Sequence, residues 1–346
     1  MPAPRLALSR LAASRFTAGL AAAIAMPAVA SPLEDFTLIV FEDMTSSSNV
    51  EGRGFIGGDL NGGEFGAQLP TPLDFADTLL VGGNLTGGSI TSQKGNTRIG
   101  GNVQGGVTLQ ASGNGGTNGD IFITGSNFGN INANAQNDTV TLGGANNGNI
   151  NNATTIITNA NPAPIAPDIT PIRNELESNS ADWAAITANT SVGVDGNKRN
   201  FDVSADDKDL YVFSIDASLF STQNIEFDLI GLDADETVLI NVTGSPTVDV
   251  TTVNFINGFT TMLAEQRVLF NFPTATSIDF TRTTFGALLA PLAHVTNTAT
   301  LEGTLVAKSF DQDGEVHLKT FTGTIPEPAS LALVGVGLGV LMRRSR

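Results

Sequence analysis

Ile56-Gly-Gly-Asp-Leu60, Val81-Gly-Gly-Asn-Leu85, Ile99-Gly-Gly-Asn-Val103, Ile123-Thr-Gly-Ser-Asn127 and Leu142-Gly-Gly-Ala-Asn146 repeat one pattern, an apolar residue followed by a tight glycine-rich turn. Successive copies start 25, 18, 24 and 19 residues apart. Spacings of this size are expected when each copy is one rung of a solenoid, with loops of varying length on one side. The apolar residue then points inward and stacks on its equivalent in the next rung. Asp59, Asn84 and Asn102 follow at one equivalent place, where short side chains can form a ladder along the stack. The alternative is a disordered Gly/Asn-rich linker, and the recurring Ile, Val and Leu positions argue against it.

Composition agrees. The 346 residues include 38 glycines, one tryptophan and no cysteine, so neither disulfides nor thiolate chemistry enters. The net charge is −17; without residues 1–30 and 326–346 the balance is 11 Lys/Arg against 33 Asp/Glu, or −22. A surface this acidic repels phosphate backbones, which excludes nucleic acid as the expected partner.

Residues 1–30 read as a secretory signal peptide. Arg5, Arg10 and Arg15 form the positive lead, Ala18 to Met26 an apolar stretch, and Ala28-Val29-Ala30 a small-residue site cut before Ser31. Phe36 to Phe41 has strand length and β-rich composition. Glu51 and Arg53 would share a face in a strand and pair with each other or with neighbouring rungs. Pro162, Pro164, Pro167 and Pro171 mark an extended connector. A helix over about 168–190 follows, starting at Thr170-Pro171, with Ile172, Leu176, Trp183 and Ile186 on one stripe that Asn179 interrupts. Trp183 is expected to dock it on the solenoid, with carbohydrate stacking as the sharper alternative.

Beyond Asp195 the alternation is β again, as in Ile225, Phe227 and Leu229. Gly286-Ala-Leu-Leu-Ala290 and Gly303-Thr-Leu-Val-Ala307 echo one another at an offset of 17. The stack therefore resumes after the helix, and residues 31–323 form one domain. Asp202, Asp206, Asp207 and Asp209 lack calcium-loop spacing and read as a solvated acidic loop.

The last 21 residues carry the most specific short signal. Pro326-Glu327-Pro328 precedes Ala329 to Met342, fourteen uncharged residues, and Arg343-Arg344-Ser345-Arg346 close the chain. As a helix the uncharged segment spans about 21 Å, short of a roughly 30 Å hydrocarbon core. The segment closely resembles the PEP-CTERM sorting signal of Gram-negative bacteria. That resemblance implies Pro326, Glu327, Pro328, Arg343, Arg344 and Arg346 as sorting residues and an exosortase-type processing enzyme as a partner. The membrane would then be a transient one; the alternative is a permanent single-pass anchor.

Phe36 to Gly58, Leu269-Phe270-Asn271-Phe272-Pro273, Gly286 to Pro291, Glu302 to Ala307 and Gly314 to His317 are similar to the choice-of-anchor A family. This resemblance implies an adhesive β-solenoid, ice-binding-protein-like, with a helix packed alongside and no catalytic residues. Glu42-Asp43-Met44 departs from the family's usual glycine before the acid, which leaves the first turn open.

No catalytic constellation stands out. His294 and His317 are the only histidines; His294 is expected to follow a strand, and Glu315 and His317 to share a strand face. No nucleophile elbow or phosphate loop is present. The expectation is a mainly β, non-catalytic protein without cofactor, exported to the cell surface and adhesive or structural in a biofilm or exopolysaccharide matrix. Two alternatives are an ice- or crystal-binding module, which a regular Thr-x-Thr ladder would support, and a polysaccharide-active enzyme. Thr139-Val-Thr141 is one such step.

Overall fold

Ile56, Val81, Ile99, Ile123 and Leu142 lie side by side in parallel register, each paired with the next. The offsets of 25, 18, 24 and 19 are therefore rung lengths of a parallel β-solenoid. The computed structural model describes residues 31–326 apart from 72, 75, 110–118, 134–137, 206 and 207. The signal and sorting segments expected at the two ends lie outside the described residues, save Ser31 and Pro326.

Each rung has three faces. A short helix, α1 (Pro32–Asp35), leads into the first rung: β1 (Leu38–Val40), β2 (Met44–Ser46) and β3 (Asn49–Val50). The second is β4 (Gly54–Ile56), β5 (Leu60–Asn61) and β6 (Gly63–Phe65). In the next four, a single bridging residue replaces the middle strand. They are β7 (Asp77–Val81), Leu85 and β8 (Ser89–Ser92), then β9 (Asn96–Ile99), Val103 and β10 (Gly106–Leu109). After them come β11 (Ile121–Ile123), Asn127 and β12 (Asn130–Ala133), then β13 (Thr139–Leu142), Asn146 and β14 (Asn149–Asn151). β15 (Thr155–Ile157) ends this half. The two longest rungs carry their extra residues at one corner, between β6 and β7 and between β10 and β11.

The chain returns through the proline segment and α2 (Thr170–Ala184) to the opposite end of the stack. There it forms the hairpin β16 (Gly193–Asp195) and β17 (Lys198–Asp202), then β18 (Leu210–Asp216) and β19 (Glu226–Ile230). Two rungs follow: β20 (Thr237–Thr243), β21 (Thr247–Val250) and β22 (Asn254–Asn257), then β23 (Val268–Asn271), β24 (Ser277–Phe280) and β25 (Thr284–Phe285). Between them lies α3 (Met262–Arg267). The last are β26 (Ala287–Asn297) with β27 (Leu301–Glu302), and β28 (Leu305–Gln312) with β29 (Val316–His317). The 17-residue echo is the register Leu288↔Leu305; beyond an irregularity it shortens to His294↔Ser309.

The second half-stack grows back toward the first and closes on it. The first face runs β15-β13-β11-β9-β7-β4-β1-β28-β26-β23-β20-β18. The N-terminal rung is thus in the middle, with Leu38 paired to Gly54 on one side and Leu305 on the other. The other two faces close likewise, β2 lying between β5 and β28 and β3 between β6 and β29.

A ladder climbs one corner. Asp43 Oδ1 accepts from Asp59 N, Asp59 Oδ1 from Asn84 N, Asn84 Oδ1 from Asn102 N, Asn102 Oδ1 from Ser126 N, and Ser126 Oγ from Ala145 N, at 2.6–3.0 Å. Each short side chain thereby satisfies a backbone donor that the sharp turn would otherwise leave unpaired. Asp43, in the first turn, starts this ladder.

The proline connector runs up the adjacent corner. Ala163 lies over Gly143, Thr124 Oγ1 donates to the Pro164 carbonyl at 3.1 Å, and Ala166 lies over Gly100. The Pro167 carbonyl faces Gly82 and Ile169 faces Gly57. Strands stack about 4.8 Å apart, so these four steps cover about 19 Å. Ala163 to Ile169 advances six residues over that distance, about 3.1 Å each, the rise of an extended chain, which keeps the connector in step with the rungs. A Cβ at Gly100 or Gly143 would strike the carbonyl of Gly82 or Thr124 in the rung before it, with Ala166 or Ala163 of the connector next.

α2 starts at Thr170 as expected but stops at Ala184, short of Thr190. Asn189 and Thr190 instead donate their amides to the Val212 carbonyl at 3.0 and 3.3 Å, so edge pairing on β18 overrides further helix. Leu176, Ser180 and Trp183 are the buried stripe. Trp183 is 5% exposed and packs with Leu239, Leu269 and Val306, which fixes it as the docking residue and leaves no ring face for a sugar. Asn241 Nδ2 donates to the Trp183 carbonyl at 2.9 Å. Asn271 Nδ2 donates to the Ser180 carbonyl, and Asn271 Oδ1 accepts from Ser180 Oγ. Leaving such buried groups unpaired costs about 1–3 kcal/mol each, so these asparagines specify where the helix sits.

Candidate binding face

The three faces differ in what covers them. On the first face, α2, α1 and Phe321 to Ile325 bury the outward residues Ile39, Val306, Leu289 and Leu239. The third face, β14-β12-β10-β8-β6-β3-β29-β27-β25, keeps its outer side open. Strand alternation decides the division there. Ile90, Val107 and Ile131 point into the core, while Thr91, Thr108, Asn132 and Asn151 share an outward column. A second outward column holds Ser89, Gly106, Asn130 and Asn149. Asn151 Nδ2 donates to Asn130 Oδ1 at 3.0 Å and Asn132 Oδ1 at 2.9 Å, which fixes the amide orientations.

A polar trough follows this face along the stack. One part, of about 610 Å³, lies between Ser47, Glu64, Thr91 and Glu315; the next, of about 570 Å³, lies between Gln104, Thr108, Phe128 and Asn132. Its floor is the column Gly88, Gly105, Gly129 and Gly148. A Cβ at Gly129 would strike the Gly105 carbonyl, so close stacking of rungs keeps the floor free of side chains. Phe128 stands on the rim, 54% exposed. Neighbouring positions repeat at about 4.8 Å between rungs and about 6.8 Å along a strand. The array offers hydroxyl and amide donors and acceptors over many rungs.

The column that contains Thr141 reads Leu80, Arg98, Phe122, Thr141 and Ile157. It is no threonine ladder. Arg98 instead lies 4.2 Å over the Phe122 ring and bonds Asp77 at 2.8 Å.

A charged cluster marks the seam between the two half-stacks. His317 Nδ1 is 2.9 Å from Glu302 Oε2, and its Nε2 is 2.9 Å from Glu315 Oε2 and 3.9 Å from Glu51 Oε1. Glu302 and His317 come from β27 and β29 and Glu51 from the turn after β3, so the His317–Glu51 contact crosses the closing joint. Burial opposes the charged imidazolium, but its hydrogen bonds to the Glu315 and Glu302 carboxylates and the charges of Glu302 and Glu51 outweigh it and raise the His317 pKa. Glu265 is pushed up by burial and by Glu302.

Other expected residues take ordinary structural places. Glu51 and Arg53 share no strand; they flank a turn between β3 and β4. Glu51 Oε2 accepts from Leu318 N, and Arg53 donates to the Asp77 and Asp35 carbonyls while lying 4.4 Å over Phe36. His294 lies within β26 rather than after a strand, because β26 bends over the corner and continues to Asn297. It meets Ser309 at 2.9 Å. Asp202 Oδ1 accepts from Ser204, which lowers its pKa, and Asp206 and Asp207 lie outside the described residues. Among the described residues no group of acids and histidines could hold a metal ion. Ser31 accepts from Leu33 N as the N-cap of α1, and Pro326 follows the buried Ile325. Ala28, Ala30, Glu327, Pro328, Arg343, Arg344 and Arg346 lie outside the described residues.

A raised His317 pKa has a signed consequence. Its stabilising contribution is complete below about pH 6.5, the unfolded value, and is lost as pH rises through the higher folded value. The melting temperature should therefore fall as pH rises through and beyond that window, and His317→Gln should flatten the fall. A wild-type profile that His317→Gln reproduces unchanged would contradict this.

The family described as "Putative Ice-binding-like adhesive domain" matches residues 29–121 and 107–318. No curated protein sequence matches. A solved ice binding protein from an Antarctic bacterium, Flavobacteriaceae, is similar over 85% of this chain and 98% of its own, at 12% identity and a TM-score of 0.26. At that score the architecture rests on this chain's own strand order. The two matched segments together span the stack from its first rung to its last, and the chain belongs to this ice-binding-like adhesive family.

Proposed function

We propose that this is an exported, surface-displayed, non-catalytic protein that holds an extended hydroxyl-rich polymer, such as exopolysaccharide, along the trough of its third face. The observation that carries this reading is the trough itself: aligned amides and hydroxyls over successive rungs, with Phe128 on the rim. Many weak contacts repeated along a polymer give avidity that no single contact has. The walls between Gln104 and Asn132 bear no charge, which suits a neutral chain, while Glu64 and Glu315 lie at the seam end. Groups of this kind position a ligand and do not titrate near neutral pH, hence the non-catalytic reading. An ice-binding role would be favoured by a regular threonine ladder, whereas asparagine and glycine share these columns with threonine.

Export follows from the N-terminal segment, and surface sorting from Pro326-Glu327-Pro328 with the arginine cluster, processed by an exosortase-type enzyme. Among the described residues no helix is long and apolar enough to cross a membrane, and Ala329 to Met342 lie outside them.

The purified chain should bind the producer's own exopolysaccharide, and Thr108→Arg with Asn132→Arg should weaken that binding at least tenfold. Gln223→Arg, on an exposed loop outside the trough, should leave it unchanged. Thermal hysteresis in ice without polymer binding would overturn the adhesive reading. Deleting Pro326 to Arg346 should release the protein from its surface route; unchanged retention would overturn the sorting reading.

A further inference from the structure

The two ends of the stack are finished differently. At one end, β18 is the last strand of the first face, yet its outer edge is occupied: Val212 accepts from Asn189 N and Thr190 N, and Asn189 Nδ2 donates to the Leu210 carbonyl at 3.0 Å. Its core residues Tyr211 and Phe213 are 1% and 0% exposed, with Phe201 of β17 edge-on to Phe213 at 5.1 Å. The β16–β17 hairpin there carries Asp195, Lys198, Arg199 and Asp202. Charged residues and a covering segment are the usual protection of a sheet end.

The other end lacks this finish. β15 pairs with β13 on one side and with no strand on the other among the described residues. The inward column Leu79, Thr97, Ile121 and Val140 is fully buried, but its last member, Ile156, is 48% exposed. Ile157 is 43% exposed beside it, and Ile150 of β14 is only partly buried. No Asp, Glu, Lys or Arg occurs between Asp138 and Asp168, in a chain that is 15% charged overall. This edge combines unpaired backbone, an uncovered core and no charge to repel a like edge. Solenoids normally need a polar terminal repeat to stay soluble.

We propose that the β15 end docks a second copy of this chain, edge to edge about a twofold axis, with β15 antiparallel to its partner. The second copy fits because it brings what the edge lacks: a free strand edge and an apolar column ending in Ile156, again without charge. Since the β18 end is capped, the contact is isologous and closes at two copies rather than growing into a filament. The described termini are elsewhere, Thr324 bonding Thr237 of β20 and α1 lying beside the seam, so neither ends on this edge. The inference does not depend on the ligand of the third face.

Sedimentation velocity on the purified chain tests it. A concentration-dependent monomer–dimer equilibrium is expected, with Ile156→Lys weakening association at least tenfold while circular dichroism stays native. The chain contains no cysteine, so Thr155→Cys should give a covalent dimer with a short bifunctional thiol reagent, and Val194→Cys at the capped end should not. A monomer at every concentration, equal cross-linking through Val194→Cys, or a ladder of higher oligomers would each overturn the proposal. A concentration-independent monomer would mean that the edge is closed within one chain.

Discussion

The backbone ladder that holds Leu38–Val40 between Gly54–Ile56 and Leu305–Ala307 is the joint on which the rest of the molecule depends. It joins residues more than 260 positions apart, and without it the protein is two short stacks with three raw ends, the β18 end alone being capped. With it, the N-terminal rung becomes interior and the second half-stack has a template. Pairing of such sequence separation carries a loop-closure cost that the contacts of all three faces must offset. The side chains at the joint follow this logic. His317, held by Glu302 and Glu315 on its own side, meets Glu51 across it, and Thr304 donates to the Leu33 carbonyl from the last rung back to the first helix.

A stack held by one repeated spacing imposes that spacing on everything attached to it. The Asp43 to Ala145 ladder rises one rung per side chain. The proline connector rises two rungs per three residues, the advance of an extended chain alongside stacked strands. The third face inherits the same period, which makes it a surface suited to a repeating ligand. Covering of the first face by α2 and the C-terminal segment, by contrast, uses outward apolar residues to fix a lid, and Asn241 and Asn271 set its position.

Much of this was legible in the sequence, for a physical reason. An inward apolar residue before a glycine turn is demanded at every rung, so four rung lengths could be read to the residue. Thr170-Pro171 marked the helix start because proline suits a first turn. What could not be read is the order of the rungs. The 17-residue echo shows that Gly303 follows Gly286 by one rung, but no local signal says that β28 meets β1. The helix end was misjudged because Asn189 and Thr190 obey a strand edge distant in sequence. Asn241 and Asn271 looked like ordinary polar members of strands, and only the lid above them makes them specific. The trough was half visible: the Gly and Asn content was plain, but which columns share a face needs the register.

Amide hydrogen exchange at Leu38, Ile39 and Val40 tests the central claim most directly. A strand near the start of a stack and paired on one side frays and exchanges early. Here those amides should exchange among the slowest in the molecule, together with Leu305 to Ala307. Rapid exchange at Leu38 to Val40, with protection kept at Val81 and Ile99, would contradict the closed stack.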